Sequence, residues 1–270
     1  MASEIGLGAF LYKRVFRPVL FRSRLARRSM MGYADSGTNF DYIYRNVPTG
    51  YTRFGKVIDS VLLNLPASKA TRDRQATFTL ILKDEITRNI VGKKRTRIVD
   101  LASGLARYLL EAITDEIRPH VQVLCLDVDP RVKFGGQKLA KGRPILFARA
   151  DVFRLGRYQK LCRKVGWNPN VVIASGLYAN YGEVMFKQSI REIYEVLEPG
   201  GFFIFDWLIR NPSQRLLEQL AITRSGKPWV MSYGSSDRVV QLVREAGFVN
   251  CVSDLDRWRM YMIYRTRKAL

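Results

Sequence analysis

The chain has 270 residues, 47% of them hydrophobic and 26% charged, a balance that excludes a disordered chain and leaves room for one large α/β domain with an appendage. Its 45 Lys and Arg against 24 Asp and Glu leave a net charge of +21, which attracts phosphate-bearing or membrane-surface partners, although a surplus kept for solubility gives the same number. Cys125, Cys162 and Cys251 stand far apart with His120 as the one histidine, so metal-ligand spacing is absent, and no apolar run approaches the ~18–20 residues that span a bilayer.

Residues 1–31 interleave Lys13, Arg14, Arg17, Arg22, Arg24, Arg27 and Arg28 with apolar residues such as Phe10, Leu11, Val15, Phe16 and Leu20, opposed only by Glu4. Three readings stay open: a helix packed on the catalytic domain with its basic face in water, a basic segment lying on an anionic membrane, and an organelle transit peptide. A reducing, cytoplasmic location is expected, with peripheral membrane contact as its variant. Residues 33–55, rich in Tyr, Gly, Asn and Thr and turned at Pro48 and Gly50, read as a loop-like connection. Val57, Ile58, Val61, Leu62 and Leu65 then predict a helix reaching Pro66, and Phe78, Leu80, Ile81, Leu82 and Ile86 a second ending near Gly92. Residues 1–92 are therefore expected to form a basic helical extension and lid.

From Arg97 short apolar runs alternate with helical patterns, so residues 93–270 predict a Rossmann-like α/β domain with a parallel sheet. Strands are expected at 97–101, 121–127, 144–149, 170–175, 202–208, 249–254 and 258–265. The last two read as an antiparallel hairpin joined around Asp254 to Arg257.

Ligands of such sheets sit at the carboxyl ends of the strands, where strand order reverses. The first strand ends in IVDLASGLAR, whose Ala102, Ser103 and Gly104 let a ligand approach the backbone closely. Asp127 closes VQVLCLD, where a carboxylate can accept both hydroxyls of a ribose, with Val128 beside the adenine and Asp129 starting a helix ahead of Pro130. Asp151 in ARADVF is placed to accept a hydrogen bond from the adenine amine. A dinucleotide site needs the glycines of GxGxxG to seat a pyrophosphate, whereas ASGLAR has one glycine. This favours S-adenosylmethionine (SAM), with Asp100 receiving its ammonium group or ordering nearby water.

The segments DLASGLAR, LDVDP, ADVF and VLEPGGFFIFD, in that order, resemble class I SAM-dependent methyltransferases. More narrowly, residues 41–64, SGLY at 175–178, GKPWVM at 226–231 and AGF at 246–248 are similar to a bacterial methyltransferase group found alone or fused to an α/β hydrolase. The resemblance implies SAM as cofactor, on a wall formed by Asp100, Ala102, Ser103, Gly104, Arg107, Asp127, Val128, Asp151, Val152, Ser175 and Gly176. Ala106 stands where class I enzymes often have glycine.

The acceptor should lie over the end of the fourth strand, in ASGLYANYGE. No Asn/Asp-Pro-Pro-aromatic tetrad and no nearby cysteine occurs there, which disfavours base methylation. Tyr178 and Asn180 are the catalytic candidates, the first by its aromatic face toward the sulfonium and the second by orienting a polar acceptor. Asp206 is a candidate base. Tyr44, Arg45 and Tyr51 are expected to fold over the site, with Tyr181 and Trp207 as further walls. The expected function is methylation of a small-molecule or lipid-associated acceptor, with residues 1–31 drawn to anionic membrane. SAM cyclisation to azetidine-2-carboxylate and RNA binding or methylation are the alternatives.

Overall fold

The computed structural model describes residues 12–154 and 156–270. The seven apolar runs form one sheet: β1 (Thr96–Leu101), β2 (Val121–Asp127), β3 (Ile145–Arg149), β4 (Val171–Ala174), β5 (Phe202–Leu208), β6 (Phe248–Leu255) and β7 (Tyr261–Lys268). Their order is β3-β2-β1-β4-β5-β7-β6. Strands β1 to β5 run parallel, and β7 lies antiparallel between β5 and β6. The strand order reverses between β1 and β4, which makes the carboxyl ends of those strands the expected ligand crevice of this Rossmann-like fold.

The central strands are apolar on both faces because helices cover both sides. Successive residues of a strand point to opposite faces, so β1 sends Val99 and Leu101 to one core and Ile98 to the other. The first core joins Phe203 and Phe205 to Phe186, Ile190 and Ile193 of the helix Gly182–Val196. The second joins Ile98, Val123 and Ile173 to Phe78, Leu82 and Ile86 of the long helix Pro66–Val91. Each such side chain contributes roughly 1.5–3 kcal/mol on burial. That long helix therefore belongs to the core of the sheet. The Pro-Gly-Gly turn also forms as expected: the chain leaves the helix at Leu197, Gly200 takes φ 71°, and β5 starts at Phe202.

Several boundaries differ from the sequence reading. The final hairpin turns over residues 256–260, because Asp256 Oδ1 accepts the amides of Met260 (2.6 Å) and Tyr261 (3.1 Å) and Arg259 takes φ 54°. Residues 33–55 are not all loop, since Gly37–Arg45 is a helix whose start is capped by Ser36. The helix predicted from Val57 and Val61 exists as Arg53–Leu63, but it buries Gly55, Asp59 and Leu63 and turns Val57 and Val61 outward. Leu80 likewise faces out from the long helix. In residues 1–31, residues 1–11 lie outside the described part, and the remainder is no single helix. It consists of Tyr12–Phe16, Arg17–Leu20 and Arg24–Arg28, followed by Ser29–Tyr33, within which Gly32 at φ 87° breaks the helical path.

The reason Asp59 faces inward is a hydrogen-bond hub. Its carboxylate accepts from Ser23 Oγ (2.5 Å), the Leu25 amide (3.1 Å) and the Tyr42 hydroxyl (2.6 Å), joining three helices of the extension. This layer then meets the sheet at one close backbone contact. A Cβ built on Gly37 would stand 2.4 Å from the Cα of Gly104, so the lid helix reaches the loop after β1 only because neither residue has a side chain. Gly37→Ala is therefore expected to push this helix off the loop and to cost about 1–3 kcal/mol of stability, read as a lowered midpoint in thermal or denaturant unfolding. An unchanged midpoint would show that the two backbones are not held together as described.

Candidate active site

The carboxyl ends of β1, β2 and β4 open into a cleft that holds about 850 Å³ of space, its open mouth included. Its floor is the loop after β1. There the backbone turns through three left-handed residues, Ala102 (φ 54°), Gly104 (φ 53°) and Ala106 (φ 51°). Ala106 thus holds the conformation that glycine adopts more easily, at a cost on the order of 1–2 kcal/mol.

Asp127 organises this floor from the end of β2. Its Oδ2 accepts the Gly104 amide (3.0 Å) and its Oδ1 the Asp129 amide (2.8 Å). Burial pushes its carboxyl above the ordinary range, against the lowering effect of those amides and of Arg224. Asp129 caps the helix Pro130–Leu139, as expected, by accepting the Arg131 amide at 3.0 Å. Val128, Asp151, Val152 and Phe153 form the next stretch of wall, with Tyr181 against Phe153 at 4.5 Å between ring centres. Asp151 Oδ1 accepts the Phe153 amide. Ser175 and Gly176, just past β4, complete the wall, and the buried Ser175 hydroxyl has no hydrogen-bond partner.

Of the cofactor-side candidates, Ala102, Ser103, Gly104, Arg107, Asp127, Val128, Asp151, Val152, Ser175 and Gly176 all border the cleft. Asp100 does not. It is fully buried behind the floor, where Oδ2 accepts the Tyr108 hydroxyl (2.6 Å), Oδ1 is unpaired, and burial drives its carboxyl well upward. Tyr108 takes its place on the wall. Arg107 reaches across to Asp41 of the lid helix at 2.7 Å.

The acceptor-side expectations need more revision. Tyr178 is fully buried among Phe186, Phe205 and Trp207, and its hydroxyl pairs with Ser189 Oγ (3.0 Å), so its ring packs the core instead of facing a sulfonium. Trp207 is part of the same aromatic cluster and no wall of the site. Asp206 is fully buried with both oxygens engaged, by the Gly176 amide (2.6 Å) and by Arg74 (3.3 Å), which removes it as a free base. Arg45 points to solvent, and Tyr51 lies under Arg24 and Arg27 away from the cleft. Three expectations keep their place: Tyr44, Tyr181 and Asn180 all line the cleft, and Asn180 is oriented by Trp229 Nε1 at 2.6 Å.

The sequence reading missed Arg74. It is 2% exposed, pairs with Asp206, donates to the Tyr44 hydroxyl (3.2 Å) and lies over the Tyr261 ring at 4.6 Å. The carboxylate of Asp206 holds its guanidinium firmly protonated against the burial that opposes charge. A signal was present, because Arg74 interrupts the buried series Ala70, Phe78, Leu82 and Ile86 at four-residue spacing. Arg224 was missed too. Its loop closes on the cleft, with Nη1 3.9 Å from Asp127 and 3.8 Å from Asp129 and Nε on Asp35 at 3.3 Å.

Residues 16–268 match the model of a family described as "Putative methyltransferase". The chain is 29% identical over 236 residues to the uncharacterised protein YnbC of Escherichia coli K12, covering 85% of this chain and 39% of that one, so it spans about two-fifths of that relative's length. Among solved structures it is similar to a possible exported protein from Bordetella parapertussis, with TM-score 0.68, 20% identity and coverage of 87% and 80% of the two chains. It is also similar to magnesium protoporphyrin IX methyltransferase of Synechocystis with bound S-adenosylhomocysteine (SAH), with TM-score 0.57, 13% identity and coverage of 88% and 96%. With nearly the whole described chain inside the matched segment and the strand-end cleft of the fold in place, the protein belongs to this methyltransferase family.

Proposed function

We propose that this methyltransferase moves the methyl group of SAM to a small-molecule or lipid-borne acceptor, with the donor in the strand-end cleft. The observation that carries the reading is Asp127, a carboxylate at the end of β2 that faces the cleft and fixes the loop after β1. SAM supplies an electrophilic methyl group on a sulfonium. Asp127 is placed to accept ribose hydroxyls, Val128, Val152 and Phe153 to flank an adenine, and Asp151 to accept from its amine. The unpaired Ser175 hydroxyl, which lines the cleft, is placed to meet the amino-acid end. The residues present therefore fit the cofactor.

The acceptor side rests on position more than on acid–base chemistry. Asn180, Tyr44 and Arg74 border the cleft where an acceptor would meet the methyl group, and no free base stands among them. Alignment of donor and acceptor supplies the acceleration in such a site. The outer layer favours a membrane-associated acceptor. On the helix Arg53–Leu63, Phe54, Val57 and Val61 are at least half exposed at helical spacing beside exposed Arg53 and Lys56, and Val15 and Phe16 are exposed between Arg14 and Arg17. An apolar stripe with basic flanks suits an anionic bilayer surface. Among the described residues no helix is long and apolar enough to cross a membrane.

Calorimetric titration with SAH tests the donor site. Binding is expected, with Asp127→Ala weakening it roughly 10- to 100-fold, as loss of a charged hydrogen-bond acceptor implies; absence of binding by the unmodified protein would end the reading. Because burial raises the Asp127 pKa, acidification should protonate it earlier than an ordinary carboxylate, so SAH affinity falls as pH drops through that raised value. Asp206→Ala leaves the Arg74 charge buried and unpaired, and a stability loss of about 3–5 kcal/mol is expected. Tyr178→Phe, by contrast, should cost about 1 kcal/mol and preserve cofactor binding, since its hydroxyl serves only Ser189. On vesicles containing phosphatidylglycerol, sedimentation of the protein should fall with salt and with the double change Phe54→Asp, Val57→Asp. Equal sedimentation of that variant would remove the helix from the membrane contact.

A further inference from the structure

Behind the donor cleft lies a second, larger cavity of about 1,510 Å³, its opening included, lined by apolar side chains such as Leu25, Ile43, Leu62, Leu217, Leu220 and Met231. Its usable volume of about 380 Å³ lies within the ~300–1,000 Å³ of small-molecule sites and is far more than a methyl-accepting group alone needs. The two spaces meet at Phe40, Arg74, Gly176 and Asn180, which line both. The acceptor's reactive end therefore belongs at this junction, and its apolar remainder in the cavity. Phe16 and Leu20 also line the cavity, while Phe16 is 59% exposed, so its entrance adjoins the basic, apolar outer face.

The junction also selects the reactive group. Arg74 is cationic and uses one N–H of Nη1 for Asp206 and one of Nη2 for Tyr44, so the second N–H on each remains to donate. Asp206 balances that charge, so the junction offers N–H donors, which suit a carboxylate oxygen and disfavour an ammonium head. The acids bordering the cleft, Asp35, Asp41, Asp127 and Asp151, lie on its donor side, and none of them lines the cavity or the junction. An alcohol or protonated amine would have to lose its proton to a base that this junction lacks. A carboxylate arrives without a proton to lose.

We infer that the acceptor is a long-chain aliphatic carboxylate, its chain in the apolar cavity and its carboxylate at Arg74, where it becomes a methyl ester. The carboxylate oxygen forms a bond to the methyl carbon while the methyl carbon–sulfur bond breaks. The bonding pair stays on sulfur, so the sulfonium becomes a neutral thioether, and no proton or oxidant is required. This inference rests on the methyl-transfer reading above.

The test begins without SAM. The full chain is loaded with cis-parinaric acid, and its fluorescence is displaced by saturated carboxylates of six to sixteen carbons, held below their micelle-forming concentrations. Affinity should rise roughly fourfold per methylene, as apolar burial implies, until the cavity is filled, and the matching alcohols should compete at least tenfold less well. Ala26→Trp and Ala67→Phe, which project into the cavity, should shorten the preferred chain and leave SAH affinity unchanged. With methyl-labelled SAM, label should appear in a base-labile ester together with an equal amount of SAH. Retained SAH binding without displacement by carboxylates, displacement that ignores chain length or head group, or label found in alcohols or amines instead would each overturn this inference alone. Failure of SAH to bind would instead defeat the methyl-transfer reading beneath it.

Discussion

Arg74 carries a full positive charge while only 2% exposed, and the arrangement around it determines how the molecule's two layers fit together. The residue comes from the long helix Pro66–Val91, its counter-ion Asp206 from β5, and its second partner Tyr44 from the lid helix. Asp206 in turn accepts the amide of Gly176, past the end of β4, at 2.6 Å. Four segments distant in sequence are thereby tied to one guanidinium. A buried pair of this kind is not by itself a large stabiliser, because desolvating both charges offsets most of their attraction. Its effect is to fix relative position: once Arg74 is charged and buried, Asp206 and Tyr44 can lie in only one place. Gly176 shows the tightness of that fit, since a Cβ there would stand 2.8 Å from Arg74 Nη2.

The same logic governs the approach of the extension to the sheet. Asp59 gathers Ser23, Leu25 and Tyr42 into one unit, and Arg107 with Asp41 and Arg224 with Asp35 fasten that unit to the donor side. Ser36 adds a hydrogen bond to Asp129 at 3.1 Å. Two of these fastenings set an acid of the extension, Asp41 or Asp35, against an arginine of the sheet domain, and the third sets the Ser36 hydroxyl against Asp129. In a chain with net charge +21, acids spent this way leave the surplus of Lys and Arg on the outside. The basic character of the surface and the ordering of the lid are thus two aspects of one distribution of charge.

The donor half was legible because it depends on spacing along the chain. A parallel strand buried on both faces is a continuous apolar run, and its end is marked by the first polar or small residues after it, so Asp127, Asp151 and the loop Ala102 to Gly104 could be placed from sequence. Asp100 misled because a strand-end acid can turn inward, and Tyr108, eight residues on, supplies the hydroxyl that holds it there. Tyr178 and Trp207 misled for a related reason. A residue just past a strand can point into the aromatic cluster beneath it as readily as into the crevice, and composition does not distinguish the two. The helix Arg53–Leu63 shows the limit of periodicity itself. Its apolar stripe is genuine, yet three hydrogen-bond donors waiting for Asp59 turn the opposite face inward.

The proposed acceptor half could not be read in this way, because no contiguous segment builds it. Its cavity draws on residues from Phe16 to Arg74, on Gly176 to Asn180, on the stretch from Asn211 to Met231 and on Tyr261. Only the tertiary packing brings these together, and only Arg74, a charged residue in an otherwise apolar and small-residue stripe, announces it in the sequence. This division has a chemical consequence. The donor site is built from strand ends that the sheet cannot alter without losing its register, whereas the proposed acceptor site joins helices of the extension to loops and the segment 211–231 beyond the sheet. Change in those helices can alter the acceptor while the donor geometry stays intact, provided that the Arg74 to Asp206 contact survives. On the proposed reading, the specificity for the acceptor resides in the extension and its junction with the sheet, at the one charge both layers must share.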